Sequence, residues 1–193
     1  MNEFAYLNPP DALSAIETDT QALGFGMGSE ARTGALLRTL AASKRNGRLL
    51  ELGTGTGIAT AWWLDGMDAD SRLDTVDNDE AALAIARRHL GYDARVSFHL
   101  ADGEAFLTQA EAASYDLIFA DAWPGKFNAL DKALALLKLG GFYVIDDLLP
   151  QPNWPEGHAP KVPRLIETLA QRADLTLCSL AWSSGLVIAV KRL

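Results

Sequence analysis

Along the chain, short apolar runs alternate with longer stretches whose apolar positions recur every three or four residues. The runs at 47–52, 73–77, 96–101, 117–122 and 142–146 predict strands, and the stretches 58–64, 79–90, 103–113 and 127–137 predict helices between them. Such alternation predicts a parallel sheet covered by helices on both faces. The segment Asp116-Leu117-Ile118-Phe119-Ala120 is almost continuously apolar, as a strand buried on both sides requires. Upstream, Ser29 is placed to cap a helix through Ala35, Leu36, Leu37 and Leu40 to about Arg45, with a shorter helix near 11–22 before it.

Downstream, Pro150-Gln151-Pro152-Asn153-Trp154-Pro155 predicts a loop, and 162–173 a helix. Two strand-like runs follow, 175–181 and 186–190, separated only by Trp182-Ser183-Ser184-Gly185. That spacing suits a hairpin and is too short for a helical crossover, so one antiparallel strand is expected at the end of the parallel sheet. The expected fold is therefore α/β: a doubly wound, Rossmann-like sheet of seven strands, mostly parallel, with an antiparallel terminal strand from a C-terminal β-hairpin. A single domain is expected over 1–193, with N-terminal helices in 1–45 and the sheet with its covering helices in 46–193.

Composition narrows the function classes. A chain of 193 residues, 49% hydrophobic and 22% charged, suits one buried core and is short for two. The formal charge of -8, with no cluster of Lys or Arg to offset it, argues against a nucleic-acid substrate. Cys178 is the lone cysteine, read as an inert small hydrophobe in a strand, and the first thirty residues lack the basic start and apolar run of a secretion signal. A cytoplasmic location is the expectation. No apolar run approaches the roughly 18 residues needed to span a bilayer, so no membrane partner is expected.

The chemistry begins in Leu49-Leu50-Glu51-Leu52-Gly53-Thr54-Gly55-Thr56-Gly57-Ile58, a strand running into a glycine loop that opens a helix. Such a loop lets backbone N–H groups and the positive helix end approach a ligand closely. Dinucleotides and S-adenosylmethionine (SAM) both use one. The dinucleotide fingerprint has glycines at positions one, three and six, whereas Gly53, Gly55 and Gly57 fall at one, three and five. Glu51, two residues earlier, suits a cationic amino-acid moiety better than a pyrophosphate. Asp77, at the end of the second strand and followed by Asn78, is placed to accept ribose hydroxyls in either cofactor, and Asp102-Gly103 ends the third strand where an adenine amino group could donate.

With these residues the chain resembles the class I SAM-dependent methyltransferases, and over about 25–193 the catechol and caffeoyl-CoA type of O-methyltransferase. The motifs that carry the resemblance are Glu51-Leu52-Gly53-Thr54-Gly55-Thr56-Gly57, Tyr115-Asp116-Leu117-Ile118-Phe119-Ala120-Asp121-Ala122-Trp123 and the terminal hairpin. The resemblance implies that Glu51 holds the methionine moiety, Gly53 with Thr54, Gly55 and Gly57 the backbone contacts, Asp77 with Asn78 the ribose, and Asp102 with Gly103 the adenine. It also implies that Trp123 packs near the adenine, and that Met27 and Ser29, from Gly24-Phe25-Gly26-Met27-Gly28-Ser29, touch the cofactor.

Asp121, Asp146 and Asp147 end the fourth and fifth strands, neighbours about 5 Å apart. Carboxylates so close need a cation among them or a raised pKa. The resemblance implies Mg²⁺ there, on two aspartates and an asparagine, holding vicinal hydroxyls of a small-molecule acceptor; here Asp147 replaces the asparagine. The resembled catechol enzymes also have a lysine directly after the tryptophan, where this chain has Pro124. Lys126 lies two residues further on, beyond a Pro-Gly turn, and His158 in the 148–161 loop is the alternative base. Asp121, Lys126 and His158 are therefore the candidate catalytic residues. The expected activity is methyl transfer from SAM to a hydroxyl of a small molecule; a catalytically silent SAM-binding protein and a dinucleotide-dependent oxidoreductase are the alternatives. A homodimer is an expectation from the resemblance alone.

Overall fold

The computed structural model describes residues 7–192; residues 1–6 and 193, which the single-domain expectation also covered, lie outside the described residues. The strands are β1 (Arg48–Leu52), β2 (Arg72–Asp77), β3 (Val96–Leu100), β4 (Tyr115–Ala120), β5 (Leu137–Ile145), β6 (Leu175–Leu180) and β7 (Leu186–Lys191). The helices are α1 (Leu13–Leu23), α2 (Ala31–Ala42), α3 (Ile58–Gly66), α4 (Glu80–Leu90), α5 (Gly103–Gln109), α6 (Leu130–Leu136) and α7 (Lys161–Ala170). They build one seven-stranded sheet in the order β3-β2-β1-β4-β5-β7-β6. β1 pairs in parallel with both β2 and β4, so the chain reverses its winding direction there. The crevice at that switch point is where open α/β sheets bind ligands.

Alternation within the strands sorts the core onto two faces. Leu50, Leu52, Ile118, Ala120, Tyr143 and Ile145 pack with residues of α6 and α7 on one side. Leu49, Leu73, Leu117, Phe119 and Val144 pack with residues of α1 to α4 on the other. The continuous apolar runs seen in sequence are thus two interleaved stripes, each facing its own helical layer. Trp62 and Trp63 of α3 are fully buried. Among the described residues no helix is long and apolar enough to cross a membrane.

Several boundaries differ from expectation. α2 starts at Ala31 behind an extended Glu30 and ends at Ala42, and Ser29 is not its cap, because the Ser29 hydroxyl donates instead to Asp121 Oδ2 at 2.9 Å. α5 stops at Gln109, since Ala110 is extended and the N–H groups of Ala113 and Ser114 bond to the Ala135 and Leu136 carbonyls at the end of α6, ahead of β4. β5 begins at Leu137 directly after α6, pairing with Tyr115 before a register shift. The hairpin is present, but its antiparallel member β7 lies between β5 and β6 and is not at the sheet edge. Cys178 lies exposed on the outer strand, so it is not a packed hydrophobe.

Candidate active site

The C-terminal ends of β1, β2, β4 and β5 open into one cavity of about 450 Å³. It is lined by the loop after β1. Gly53 and Gly57 are the glycines that this loop demands. Gly53 has φ +101° and a Cβ there would lie 2.9 Å from the Asp121 carbonyl oxygen; Gly57 has φ +92° and its Cβ would lie 2.9 Å from Ala86 Cβ on α4. Close approach of β4 on one side and α4 on the other leaves no room for a side chain. Asp77 anchors the loop from below: its Oδ2 accepts from the Gly55 N–H at 2.7 Å and its Oδ1 from the Asp79 N–H at 2.9 Å. Asp79 in turn caps α4 through the N–H groups of Ala81 and Ala82.

The expected cofactor residues divide into two groups. Met27, Ser29, Gly53, Thr54, Gly55, Asp77, Asn78, Asp121 and Trp123 all line the cavity. Glu51, Gly57, Asp102 and Gly103 do not line it. Gly57 acts as a packing residue, as just described. Asp102 is spent as the N-cap of α5, accepting from the Ala105 N–H at 2.9 Å, and a Cβ on Gly103 would press on Pro124.

Glu51 is fully buried beneath the loop. Its Oε2 accepts from Thr60 Oγ1 at 2.6 Å and Thr75 Oγ1 at 2.5 Å, and Thr75 is bonded at 2.6 Å to Thr54 Oγ1. Glu51 Oε1 has no hydrogen-bond partner. Burial pushes its pKa up to about 7, against the pull of the two threonines. The carboxyl therefore reaches the cavity only through the Thr75–Thr54 hydroxyl chain, one layer deeper than the resemblance implies.

The cavity is also lined by Asp121, Trp123, Lys126, Asp146, Asp147, Trp154, His158 and Ser184. Trp123 meets Phe127 edge-on at 6.0 Å, with the Lys161 ammonium 4.7 Å from its ring centre. The Trp123 carbonyl accepts from the N–H groups of Lys126, Phe127 and Asn128, closing a tight turn whose Gly125 carbonyl is held by Tyr143 Oη. That turn folds Lys126 inward: the side chain is 2% exposed, lines the cavity and forms no hydrogen bond or ion pair with a described residue. Asp121 is pushed well above the usual carboxylate range by burial and by Asp146, and Lys126 and Ser29 oppose the shift. Burial likewise pushes Asp146 up to about 6, opposed by Ser184, the Asp147 N–H and Lys126.

Asp121, Asp146 and Asp147, the residues expected to hold Mg²⁺, line the same cavity. Among the described residues no group of three or more His, Cys, Asp or Glu side chains is arranged to hold a metal ion. Asp147 has φ +64°, a left-handed conformation. Its Oδ1 accepts from Trp154 Nε1 at 2.5 Å and its Oδ2 lies 3.6 Å from His158 Nε2. Asp146 Oδ1 accepts from Ser184 Oγ and from the Asp147 N–H. A small octahedral ion needs several oxygens brought to about 2.1 Å, and each of these carboxylates is already engaged by a hydrogen-bond donor.

His158 is packed against Trp154, stacked at 4.4 Å, and against Phe127, edge-on at 4.9 Å. Its Nε2 lies 3.1 Å from the Asp147 carbonyl oxygen, an acceptor only, so Nε2 carries the proton and Nδ1 the lone pair. Burial lowers its pKa below the ordinary value of 6.5, aided by the Lys126 charge and opposed by Asp147. The ring is neutral at pH 7.

Sequence reasoning missed Ser184 and Glu30 as cavity residues. Ser184 reads as a hairpin turn residue, and only the β5–β7 pairing brings it onto Asp146. Glu30 carries no local signal; its Oε2 accepts from Ser183 at 2.7 Å and Arg32 at 2.9 Å, tying α2 to the same hairpin.

A family model described as a methyltransferase domain matches residues 50–148, which span the glycine loop, Asp77, Asp121, Lys126, Asp146 and Asp147. The chain belongs to this methyltransferase family. A Mycobacterium ulcerans protein that carries an O-methyltransferase name is 27% identical over 182 residues, covering 89% of this chain and 81% of that protein. A Mycobacterium tuberculosis (strain H37Rv) protein named probable O-methyltransferase is 33% identical over 117 residues, 58% of this chain and 52% of that one. Among solved structures, the O-methyltransferase TomG of Streptomyces achromogenes in complex with SAM aligns over 98% of this chain and 93% of its own, with TM-score 0.83 and 24% identity. An O-methyltransferase of Bacillus cereus in complex with SAH aligns over 97% and 94%, with TM-score 0.82 and 21% identity. At these identities the structural likeness establishes the fold.

Proposed function

We propose that this methyltransferase takes its methyl group from SAM and delivers it to a hydroxyl oxygen of a small aromatic acceptor. The observation that carries the reading is one cavity lined by the Gly53–Gly55 loop and Asp77 together with Asp121, Lys126, Trp154 and His158. Asp77 Oδ2 already holds the Gly55 N–H, so a ribose bound at its free lone pairs would sit against a pre-set loop. The carboxylates lining the cavity suit a sulfonium cation and oppose a pyrophosphate, which weighs against the dinucleotide alternative.

In the transfer, the acceptor oxygen attacks the methyl carbon in line, the carbon–sulfur bond breaks, and its electron pair returns to sulfur, leaving S-adenosylhomocysteine (SAH). His158 Nδ1 takes the hydroxyl proton. The Trp154 ring, stacked on His158 and lining the cavity, would pack against a flat acceptor.

Asp77→Ala is expected to weaken SAH binding by roughly 10- to 150-fold, since charge-assisted hydrogen bonds to ribose are lost together with the loop anchor. Isothermal titration with SAH, with folding monitored by circular dichroism, reads this directly. Equal affinity in a folded variant would remove Asp77 from the cofactor site.

A further inference from the structure

The resembled enzymes place a divalent ion among three carboxylate-end residues, and the geometry here supplies no such ligand set. It supplies a different positive charge. Among the described residues lining the cavity, Lys126 is the only lysine or arginine, and it stands among Asp121, Asp146 and Asp147. Its side chain is 2% exposed and lines the cavity, with Nζ 5.8 Å from the Phe127 ring centre. A buried ammonium in that state is costly unless it faces opposite charge. The Trp123–Asn128 turn, pinned by Tyr143 Oη on the Gly125 carbonyl, fixes where the lysine stem starts. Asp147 Oδ1, meanwhile, accepts from Trp154 Nε1 and its Oδ2 lies 3.6 Å from His158 Nε2.

We infer that the ammonium of Lys126 is the cation that offsets the carboxylates of Asp121 and Asp146 in this cavity, in place of the divalent metal that the resemblance implies there. An ammonium there neutralises part of the carboxylate charge and presents donors to the acceptor oxygen as negative charge develops on it. It does so as a point charge with rotatable donors, and it does not chelate two vicinal oxygens as a metal ion would. An acceptor with a single hydroxyl is then as competent as a vicinal diol. The acceptor clause rests on the methyl-transfer reading; the cation assignment does not.

The test is Mn²⁺ uptake, followed by the electron paramagnetic resonance signal of the free ion, with and without SAH. Wild type is expected to take up no stoichiometric Mn²⁺ at concentrations up to about 1 mM. Lys126→Met, which leaves the aspartates uncompensated, is expected to bind Mn²⁺ at least about tenfold more tightly than wild type. One equivalent bound by wild type and lost in Asp146→Asn overturns the inference, as does a folded Lys126→Met with no gain over wild type. The wild-type arm decides alone if Lys126→Met does not fold. Failure of SAH to bind would count against the methyl-transfer reading and leave the Mn²⁺ comparison readable.

Discussion

Replacing His158 by alanine is expected to lower kcat by about 100- to 10,000-fold, the range over which a positioned general base contributes. The hydroxyl of an acceptor must lose its proton as oxygen bonds to carbon, and His158 is the neutral nitrogen base lining the cavity among the described residues. Its tautomer is set by donation from Nε2 to the Asp147 carbonyl, and its plane by the stack on Trp154. The base works only when unprotonated, so kcat in wild type should fall as pH drops through the His158 pKa, which burial places below 6.5. The variant should lose that acid limb. SAH affinity should be unchanged, because the cofactor reading rests on the Gly53–Gly55 loop and Asp77 and not on His158. A variant with wild-type kcat would assign the proton to solvent.

Glu51→Gln should change how stability depends on pH by about 3 kcal/mol. Burial raises the folded-state pKa of Glu51 to about 7, above its ordinary value of 4.5, so the folded chain binds this proton more tightly than the unfolded chain does. The associated stability is fully present below about pH 4.5 and is lost as pH rises through 7. Glutamine cannot ionise, and its amide oxygen still accepts from Thr60 and Thr75, so the variant should lack this component. Asp121 and Asp146 are also raised and add a slope of the same sign in both proteins. The difference between urea-unfolding profiles of wild type and variant therefore isolates Glu51. It should grow between pH 4.5 and 8 in favour of the variant; parallel profiles would mean that Glu51 ionises freely in the core.

Much of this fold was legible in the chain, because its signals are local and periodic. The alternation of strands and helices, the Gly53–Gly57 loop and the 182–185 hairpin turn each declare themselves within a few residues. What was not legible depends on contacts between distant segments. Ser29 reads as a helix cap until β4 brings Asp121 within 2.9 Å of it. Asp102 and Asp77 both end strands next to a helix start, yet Asp102 is consumed as a cap while Asp79 caps α4 and leaves Asp77 on the glycine loop. The direction of Lys126 after Pro124-Gly125 was open from sequence, and it follows from the Tyr143 hydroxyl that holds the turn from β5. Asp147 could be aimed only once Trp154 and His158 were placed against its carboxylate.

The most direct measurement is methyl transfer itself: purified protein, SAM labelled in its methyl group, and a panel of phenols, with products separated and the labelled atom located by mass spectrometry. The account predicts a labelled methyl ether formed with release of one SAH per ether. Tight SAH binding with no labelled product from any phenol, or label found only on nitrogen or carbon acceptors, would contradict it.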